Sequence, residues 1–302
     1  MLKSKAVVLL GTLAVSGAVL ADLNSGLIAH WSFDDCKATD SSGNSHHGAI
    51  KGKPKCITGI KGKALQFNGV NDFVEVVDAT DLRLSGTSYT LSGWAYIIDY
   101  NSSWQSALVG KRGTSSQDGY LWSLTGKEAG IPLGRPNINI SGGGDPWIAS
   151  RKGSPLKKWR HIVVVYDINT QIAKLYVNNA IEASSVNFPT PNPNTATNLS
   201  IARDSDGNQS GGYFLNGNLD DIRIYNRALA ASEIAELYNM GQPITGITKG
   251  LQQINVTCKN TTTGQTVVIP GQTGTTWDCK KAGLKTQPNQ TVNISIDGAT
   301  YP

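Results

Sequence analysis

The stretch NGNLDDIRIYNRALAASEIAELYNMG, residues 216–241, decides the fold of this chain. Residues 219–225 alternate as a strand does, and that alternation places Asp220 on the same face as Ile222 and Ile224, with Asp221 on the opposite face. An ionised carboxylate on an apolar face needs a cation, backbone N–H donors or a local bulge that returns it to water. We therefore predict that Asp220 has a partner of one of these kinds.

A short helix is predicted directly after this strand. Its apolar residues recur three and four positions apart, and Gly241 gives a stop signal. The start is unusual because Ala230, three residues before Glu233, stands where a capping box has Ser or Thr. We predict that the reciprocal bond is lost and that Ser232 caps the helix instead. The apolar residues are Ile234, Leu237 and Tyr238.

The remaining chain predicts an all-β fold made of many short strands. Its 33 glycines and many Asn, Ser and Thr residues separate short apolar or alternating runs, and sustained helical periodicity is rare. This pattern is typical of a two-sheet antiparallel sandwich. The candidate strands are residues 27–33, 64–67, 73–77, 89–97, 106–111, 120–124, 161–167, 172–177, 199–202 and 219–225, with weaker signals at 138–140 and 147–148.

Several segments carry a family resemblance. They are HWSFDD (30–35), DSSGNSHHG (40–48), KALQFNGVNDFVEV (63–76), YTLSGWAYI (89–97), WRHIVVVYD (159–167) and KLYVNNA (174–180). With the stretch at 216–241, the chain resembles the LamG-like jelly-roll family, a concanavalin A-like domain related in shape to laminin G modules and pentraxins. The resemblance implies an antiparallel jelly roll that serves as a carbohydrate-binding, adhesive or accessory module, and the fold alone does not choose among these roles.

The chain is predicted to have three segments. Residues 1–21 have a basic start, an apolar run and Val19-Leu20-Ala21, which indicates a cleaved secretory signal peptide. Residues 22–243 form the jelly-roll domain, and residues 244–302 form a small β-rich module with strand candidates of its own. The protein is therefore expected to be secreted or displayed at the cell surface, with no membrane span after cleavage.

Charge argues against one class of partner. The formal net charge is +5, and removal of Lys3 and Lys5 with the leader leaves 5 − 2 = +3. This charge is too small and too scattered to predict nucleic-acid binding. The expected partner is a glycan or an extracellular protein.

Four cysteines lie in two local pairs, Cys36 with Cys56 and Cys258 with Cys279. Four cysteines allow three pairings, and the long separation between the two pairs favours local disulfides in an exported protein. A zinc site is the alternative, but no C-x-x-C motif is present.

Asp outnumbers Glu by 17 to 5, and many Asp residues lie in Gly- and Asn-rich loops, which suit Ca²⁺. In the family that this chain resembles, a structural calcium lies where the end of the first strand, the DSSGN-type loop and the late acidic strand converge. That implies Asp34, Asp35, Asn44 and Asp220 as ligands. The alternative is that these side chains cap turns and accept backbone hydrogen bonds.

A second acidic group consists of Asp204 and Asp206, two residues apart. The resemblance to pentraxins implies a ligand-bridging calcium at this loop, with Asp118 contributed by an earlier loop. The alternative is a solvated acidic loop. Aromatic rings are another route to sugar binding, and Trp104, Trp122 and Trp147 lie in or beside loops, where they could stack on a sugar or pack as lids over the core.

The absence of an E-x-D-x-E strand pattern and of a G-x-S-x-G motif argues against catalysis. We therefore predict a secreted, calcium-supported, non-catalytic carbohydrate-binding or adhesion module. One alternative is a concanavalin A-like glycoside hydrolase or lyase with an unrecognised acid pair. Another is a structural surface or appendage protein that assembles through residues 244–302.

Overall fold

The structure is a computed structural model that describes residues 22–100, 104–113, 119–130, 132–140, 147–192, 196–205, 212–241, 254–260, 263–272, 292–296 and 299–301. The chain divides into two compact units, Met1–Gly241 and Gln242–Pro302. The predicted signal peptide lies outside the described residues. Within the described ranges, no helix combines the length and apolar character needed to cross a membrane.

Short strands make up most of the first unit, as the sequence predicts. In chain order they are β1 (Leu27–Trp31), β2 (Gly48–Lys51), β3 (Lys55–Thr58), β4 (Lys63–Asn68), β5 (Phe73–Val76), β6 (Tyr89–Asp99), β7 (Gln105–Arg112), β8 (Gly119–Thr125), β9 (Pro136–Ile140), β10 (Trp147–Ala149), β11 (Trp159–Asp167), β12 (Ile172–Val177), β13 (Ala180–Ser185), β14 (Leu199–Ile201) and β15 (Asn216–Tyr225). One helix, α1 (Ala231–Met240), follows β15, and 3-10 turns occur at Asp81–Arg83 and Lys127–Ala129.

These strands form two antiparallel sheets. The first sheet has the order β13-β12-β11-β6-β15-β4-β3, and β1 also pairs with β15. The second sheet has the order β10-β9-β8-β7-β14-β5-β2. Consecutive strands of the chain are therefore distributed over both sheets, which confirms the predicted jelly-roll sandwich.

The core lies between the two sheets and follows the period-2 alternation of the strands. On β11, Ile162 and Val164 face the core, whereas Val163 and Val165 belong to a second cluster on the outer face. Trp31 and Trp122 are among the largest fully buried side chains. The inner faces of the sheets thus bury their apolar residues against each other.

Helix α1 covers the outer face of the first sheet. Ile234 and Leu237 pack with Val163, Val165 and Tyr225 in the outer cluster. The helix begins at the predicted position, and Ala230 is its N-cap without a side-chain bond. The prediction that Ser232 caps the helix is wrong, because Ser232 lies inside the first turn.

The Glu233 carboxylate replaces part of the missing cap. It accepts the Ala230 N–H at 2.8 Å and forms an ion pair with Arg227 at 2.6 Å. Half of the capping box is therefore kept, and the other half is absent because alanine has no acceptor.

The disulfide between Cys36 and Cys56 is present, with the Cα atoms 5.3 Å apart. Cys258 is also disulfide-bonded, whereas Cys279, its predicted partner, lies outside the described residues. The second unit contains an antiparallel sheet with the order β17-β16-β18-β19. Its strands are β16 (Ile254–Asn260), β17 (Thr266–Gln272), β18 (Val292–Ile296) and β19 (Ala299–Tyr301).

Candidate functional site

Strand β15 contains a β-bulge at Asp220 and Asp221. On one edge of β15, Asp220 pairs with Trp94 and Arg223 pairs with Ser92, so two residues of β15 lie opposite Gly93. Asp221 has a φ of 55°, in the left-handed region. On the other edge, the residues before the bulge pair with β4 and those after it pair with β1. The bulge therefore marks the point where β15 changes its neighbour.

The bulge corrects the predicted orientation of Asp220. Leu219 and Ile222 both face the core, so the extra residue leaves Asp220 on the outer face and not on the face of Ile222. Asp220 is nevertheless only 1% exposed. Its Oδ2 accepts the N–H groups of Ile60 (2.8 Å) and Lys61 (3.2 Å), which lie in the turn between β3 and β4.

The pKa of Asp220 is raised to about 7, chiefly by burial; the neighbouring Asp221 and Asp34 carboxylates also raise it, and the two N–H donors oppose the rise. Asp34 approaches the same turn, because its Oδ1 accepts the Lys63 N–H at 2.9 Å. Gly62 is required beside it: its φ is +63°, and a Cβ at this position would overlap the Asp34 carboxylate. Asp34 and Asp220 therefore flank one turn; they are two of the four side chains named above as calcium ligands.

The other two predicted ligands are engaged elsewhere. Asp35 accepts the Lys37 N–H (2.9 Å) and the Thr39 hydroxyl (2.7 Å) within its own turn. Asn44 donates to the carbonyls of Leu27 (3.0 Å) and Ile28 (2.8 Å), at the start of β1, whereas Asp34 follows the end of β1. The four side chains are not gathered in one place.

Asp40 is the residue that sequence reasoning missed in the DSSGN loop. It is buried, and its carboxylate accepts the N–H groups of His30, Ser42 and His46, each at 2.9 Å. These bonds hold the pKa of Asp40 below its ordinary value, although burial opposes this. An Asp before a Ser-Ser-Gly-Asn turn is a recognisable Asx-turn signal, so the sequence contained the clue.

No group of three or more His, Cys, Asp or Glu side chains within the described ranges is arranged to hold a metal ion. Calcium can also use backbone carbonyls and amides. At the turn flanked by Asp34 and Asp220, however, the backbone presents N–H donors to the carboxylates. Only Asp34 and Asp220 thus remain as candidate side-chain ligands at one location.

Behind Asp221 lies a hydrogen-bonded series of polar side chains. His30 Nε2 is 2.6 Å from Asp221 Oδ1, and His30 Nδ1 is 2.8 Å from the hydroxyl of Ser41. Arg223 also donates to Asp221, at 3.0 Å. Ser41, at one end of the series, is exposed, and Asp221, at the other end, is buried. A Ser–His–Asp array has the same arrangement, with an accessible serine and a buried aspartate.

A second histidine lies deeper on the same face. His161 is buried, is 2.9 Å from the Ser92 hydroxyl through Nε2, and packs on Trp94 with ring centroids 5.0 Å apart. Burial lowers the pKa of His161 to about 3; Asp221 opposes the decrease and Arg223 adds to it. The predicted structural role of His161 agrees with this placement beneath α1.

The second predicted acidic site has a different character from that expected. Asp204 is 0% exposed, and its carboxylate forms an ion pair with Arg112 inside the protein. A buried carboxylate that is already neutralised by arginine is not an open calcium ligand. Asp118 and Asp206 lie outside the described residues.

The three candidate tryptophans separate clearly. Trp122 is 0% exposed and belongs to the core, so its predicted role in stacking is wrong; it shares the inner face of β8 with Tyr120 and Leu124. Trp104 is 56% exposed at the start of β7, and Trp147 is 47% exposed on β10. Two large aromatic rings are therefore accessible at the second sheet.

Trp147 lies at the edge of a polar face. Its strand partner Asn139 points to the outer face, because Ile138 and Ile140 face the core. The Oδ1 atom of Asn139 is buried and has no hydrogen-bond partner among the described residues. The guanidinium of Arg135 lies 5.8 Å from the centre of the Trp147 ring. An aromatic ring, a cation and an unpaired acceptor thus lie together.

Solved structures with the same fold include several binding domains. Domain 4 of AbnA, a GH43 extracellular arabinanase from Geobacillus stearothermophilus, was solved in complex with arabinotriose; it is 24% identical over 72% of this chain and 98% of its own, with a TM-score of 0.55. The binding domain of Paraclostridial Mosquitocidal Protein 1 is 18% identical over 82% of this chain and 64% of its own, with a TM-score of 0.56.

The botulinum neurotoxin serotype D/C binding domain is 11% identical over 92% of this chain and 73% of its own, with a TM-score of 0.56. At these identities the similarity establishes the fold alone. No curated protein sequence matches this chain.

The sequence model of the concanavalin A-like lectin/glucanases superfamily matches residues 68–235, more than half of the 302-residue chain. The matched region begins at the end of β4 and ends within α1, so it spans most strands of both sheets. This protein belongs to the concanavalin A-like lectin/glucanases superfamily.

Proposed function

We propose that the first unit is a non-catalytic carbohydrate-binding module that recognises a glycan at Trp147. The observation that carries the proposal is the combination at β10: a tryptophan that is 47% exposed, the Arg135 guanidinium beside its ring and the unpaired Oδ1 of Asn139. A flat ring can stack on the apolar face of a sugar, while neighbouring polar groups fix its orientation.

The polar surroundings of Trp147 support this role. Ser123 donates to Asn137 Oδ1 at 2.9 Å, and Asn137 Nδ2 donates to the Arg135 carbonyl at 3.1 Å. These bonds connect the outer face of β8 and β9 to the Arg135 backbone, and the Arg135 guanidinium is held by the bond from its Nε to the Ser150 carbonyl. A preformed arrangement lowers the entropy cost of binding. The arabinotriose bound by the AbnA domain is consistent with glycan binding on this fold.

For a binding module, the acids described above have structural roles. Asp220 is covered by the turn between β3 and β4, and Asp204 is paired with Arg112, so neither carboxylate is open to a substrate. A glycosidase requires two carboxyl groups that reach the scissile bond. Their burial supports the absence of catalysis in the proposal.

Calcium is retained as a proposal with a smaller ligand set. Asp34 and Asp220 would supply its side-chain ligands, because their mutual repulsion and the repulsion from Asp221 would be relieved by a divalent cation. The N–H donors of Ile60, Lys61 and Lys63 would then have to turn away from the carboxylates. Bound Ca²⁺ would stabilise the junction of β1, β4 and β15.

We also propose that the protein is exported. The signal-like residues 1–21 and the disulfide between Cys36 and Cys56 support an oxidising compartment. Sequencing of the mature N-terminus would test cleavage after Ala21.

Glycan binding is tested on an array of neutral and acidic oligosaccharides. The wild-type chain is expected to bind at least one class, and Trp147→Ala should lower its affinity by about tenfold or more, as truncation of a central aromatic residue commonly does. Val77→Ala is the matched control, since Val77 is 74% exposed and lies outside β10. Trp104→Ala shows whether the second exposed ring contributes.

Two results would contradict the binding function. One is the absence of binding to any glycan, and the other is full binding by Trp147→Ala. Mass spectrometry of the bound oligosaccharide should show an unchanged mass, and cleaved products would contradict the non-catalytic part of the proposal.

One arrangement favours a second candidate, a hydrolase that uses Ser41 as its nucleophile. Asp221 holds His30 at 2.6 Å, and the other ring nitrogen is 2.8 Å from the Ser41 hydroxyl. The Ser41 N–H already donates to the His30 carbonyl at 2.9 Å, so it is not free to stabilise an oxyanion. A fluorophosphonate probe should label Ser41, and His30→Gln should abolish labelling, if this candidate is correct; an unlabelled wild-type chain would exclude it.

A further inference from the structure

Arg135 lies beside Trp147, and five further cations follow along the segment that joins β10 to β11 and at the start of β11. Four members of this group are exposed, and Arg135 and Arg160 are partly buried. None of these six side chains forms an ion pair with a carboxylate of the described residues; the ion pairs found there all involve other cations. We call this group the cationic rim; it consists of Arg135, Arg151, Lys152, Lys157, Lys158 and Arg160.

The rim borders a cavity of about 120 Å³. Lys152, Arg160, Ser150 and Glu182 contribute polar groups to its wall. One water molecule needs roughly 10–15 Å³ of such volume, so the cavity can admit a carboxylate or sulfate group. The Nε atom of Arg160 is buried and has no hydrogen-bond partner among the described residues. Arg160 lines the cavity, and an anionic oxygen bound there would supply the missing acceptor once the side chain turns its Nε towards the cavity.

Ser150 connects this cavity to the exposed ring. Its carbonyl accepts a hydrogen bond from Arg135 Nε, and Arg135 lies over Trp147. Ser150 also lines the cavity. Arg160 lies on β11 of the first sheet, so the cavity lies between the residues that follow β10 and the strands β11 to β13. Ser150 is the residue that links this cavity to Arg135 and the Trp147 ring.

We propose that the glycan recognised at Trp147 is acidic and that its carboxylate or sulfate group occupies the cavity at Arg160. The sugar position rests on the proposed function; the preference for an anion rests on the cationic rim and the unpaired Nε. Arginine suits this role because its planar fork matches an oxyanion. Glu182 opposes the ligand, since its carboxylate lines the same cavity and lies 3.5 Å from the Ser150 hydroxyl.

The test is calorimetric titration of the full chain with pairs of ligands that differ only in charge. Oligogalacturonate is compared with its methyl ester, and a sulfated galactan oligosaccharide with its desulfated form, which distinguishes carboxylate from sulfate. At least one acidic form should bind tenfold or more tightly than its neutral partner, and added salt should reduce the difference.

Two substitutions in the cavity should act in opposite directions. Arg160→Gln should remove the preference for the acidic form, whereas Glu182→Gln should increase affinity for it several-fold. A gain of affinity cannot result from misfolding, and circular dichroism checks the fold of each variant. Lys174→Gln is the matched control, because it removes one exposed positive charge outside the rim.

The outcomes separate this inference from the proposed function. Binding that requires Trp147 but is equal for acidic and neutral forms overturns the anionic cavity and leaves glycan binding intact. Failure of both ligand pairs to bind in either form overturns the anionic cavity, and the glycan array then decides whether the proposed function fails as well. A preference for the acidic form that survives Arg160→Gln indicates general charge attraction and also overturns the proposal, as does acidic-ligand binding that single-stranded DNA or anionic vesicles match in affinity.

Discussion

Asp220→Asn and His161→Gln should change the pH dependence of stability in opposite directions. The pKa of Asp220 is raised from 3.8 to about 7, so the folded chain binds this proton first as the pH falls, and the free energy of unfolding rises from pH 7 towards pH 4. The pKa of His161 is lowered from 6.5 to about 3, so the unfolded chain binds its proton first. The free energy of unfolding therefore falls from pH 6.5 towards pH 3.

The two contributions are of similar size. One pKa unit corresponds to about 1.4 kcal/mol, so Asp220 contributes up to about 4 kcal/mol and His161 up to about 5 kcal/mol over their full ranges. Between about pH 4 and 6.5 both operate, and each changes stability by about 1.4 kcal/mol per pH unit. Their sum is close to zero in the wild-type chain. Each substitution removes one contribution and leaves the other.

Urea unfolding at pH 4.5, 5.5 and 6.5, followed by tryptophan fluorescence with a chelator present, measures these slopes. Asp220→Asn keeps an oxygen acceptor for the Ile60 and Lys61 N–H groups and should lose stability on acidification. His161→Gln should gain stability on acidification. Glu128→Gln, at an exposed site, is the control for loss of a carboxylate. Slopes of the same sign in both variants would refute the reasoning.

Three further predictions concern stability at neutral pH. Asp204→Ala should lower the free energy of unfolding by about 3–5 kcal/mol, because it leaves Arg112 buried without its carboxylate. Adding Arg112→Met to the same chain should restore part of this loss. A decrease below about 1 kcal/mol in urea unfolding would contradict a buried ion pair. Ala230→Ser should stabilise by about 1 kcal/mol by completing the capping box with Glu233, whereas an unchanged melting temperature would mean that the cap is already satisfied. Replacing both Cys36 and Cys56 by Ala should cost about 3 kcal/mol, and the denaturation midpoint should then no longer respond to reductant.

The interior strands could be predicted from sequence because burial on at least one face imposes an apolar pattern. The strands predicted at residues 161–167 and 172–177 correspond to β11, which begins two residues earlier, and to β12, which has the predicted bounds. The missed strands of the sandwich, β2, β3 and β13, are all at sheet edges, and most of their side chains are exposed. An edge strand has less apolar surface to bury, so its sequence resembles a loop.

The orientation of Asp220 could not be predicted from alternation. Alternation holds only while each residue has one partner, and the extra residue at Asp221 shifts the pattern by one position. A local bulge and backbone N–H donors are both among the features that the sequence predicts could accommodate the Asp220 carboxylate. The structure contains both, and what could not be foreseen was that the donors come from the turn between β3 and β4.

The candidate binding site was found in part. Trp147 was identified because it lies beside a Gly-rich loop, but the same reasoning selected Trp122, which alternation on β8 places in the core. Arg135 and Arg160 have no motif around them; only the fold brings Arg135 beside Trp147 and Arg160 to the cavity that Ser150 also lines.

The pairing of β1 with β15 has a mechanical consequence. Leu27 lies opposite Tyr225, so the chain enters and leaves this antiparallel pair at the same end. Tension applied through the two ends of the first unit would, once α1 has detached, unzip β1 from β15 one hydrogen bond at a time instead of shearing all of them together. The Cys36–Cys56 crosslink lies just beyond β1 and would limit how far the freed segment extends. Pulled by its two ends, the first unit would therefore lose α1 first and its N-terminal strand next.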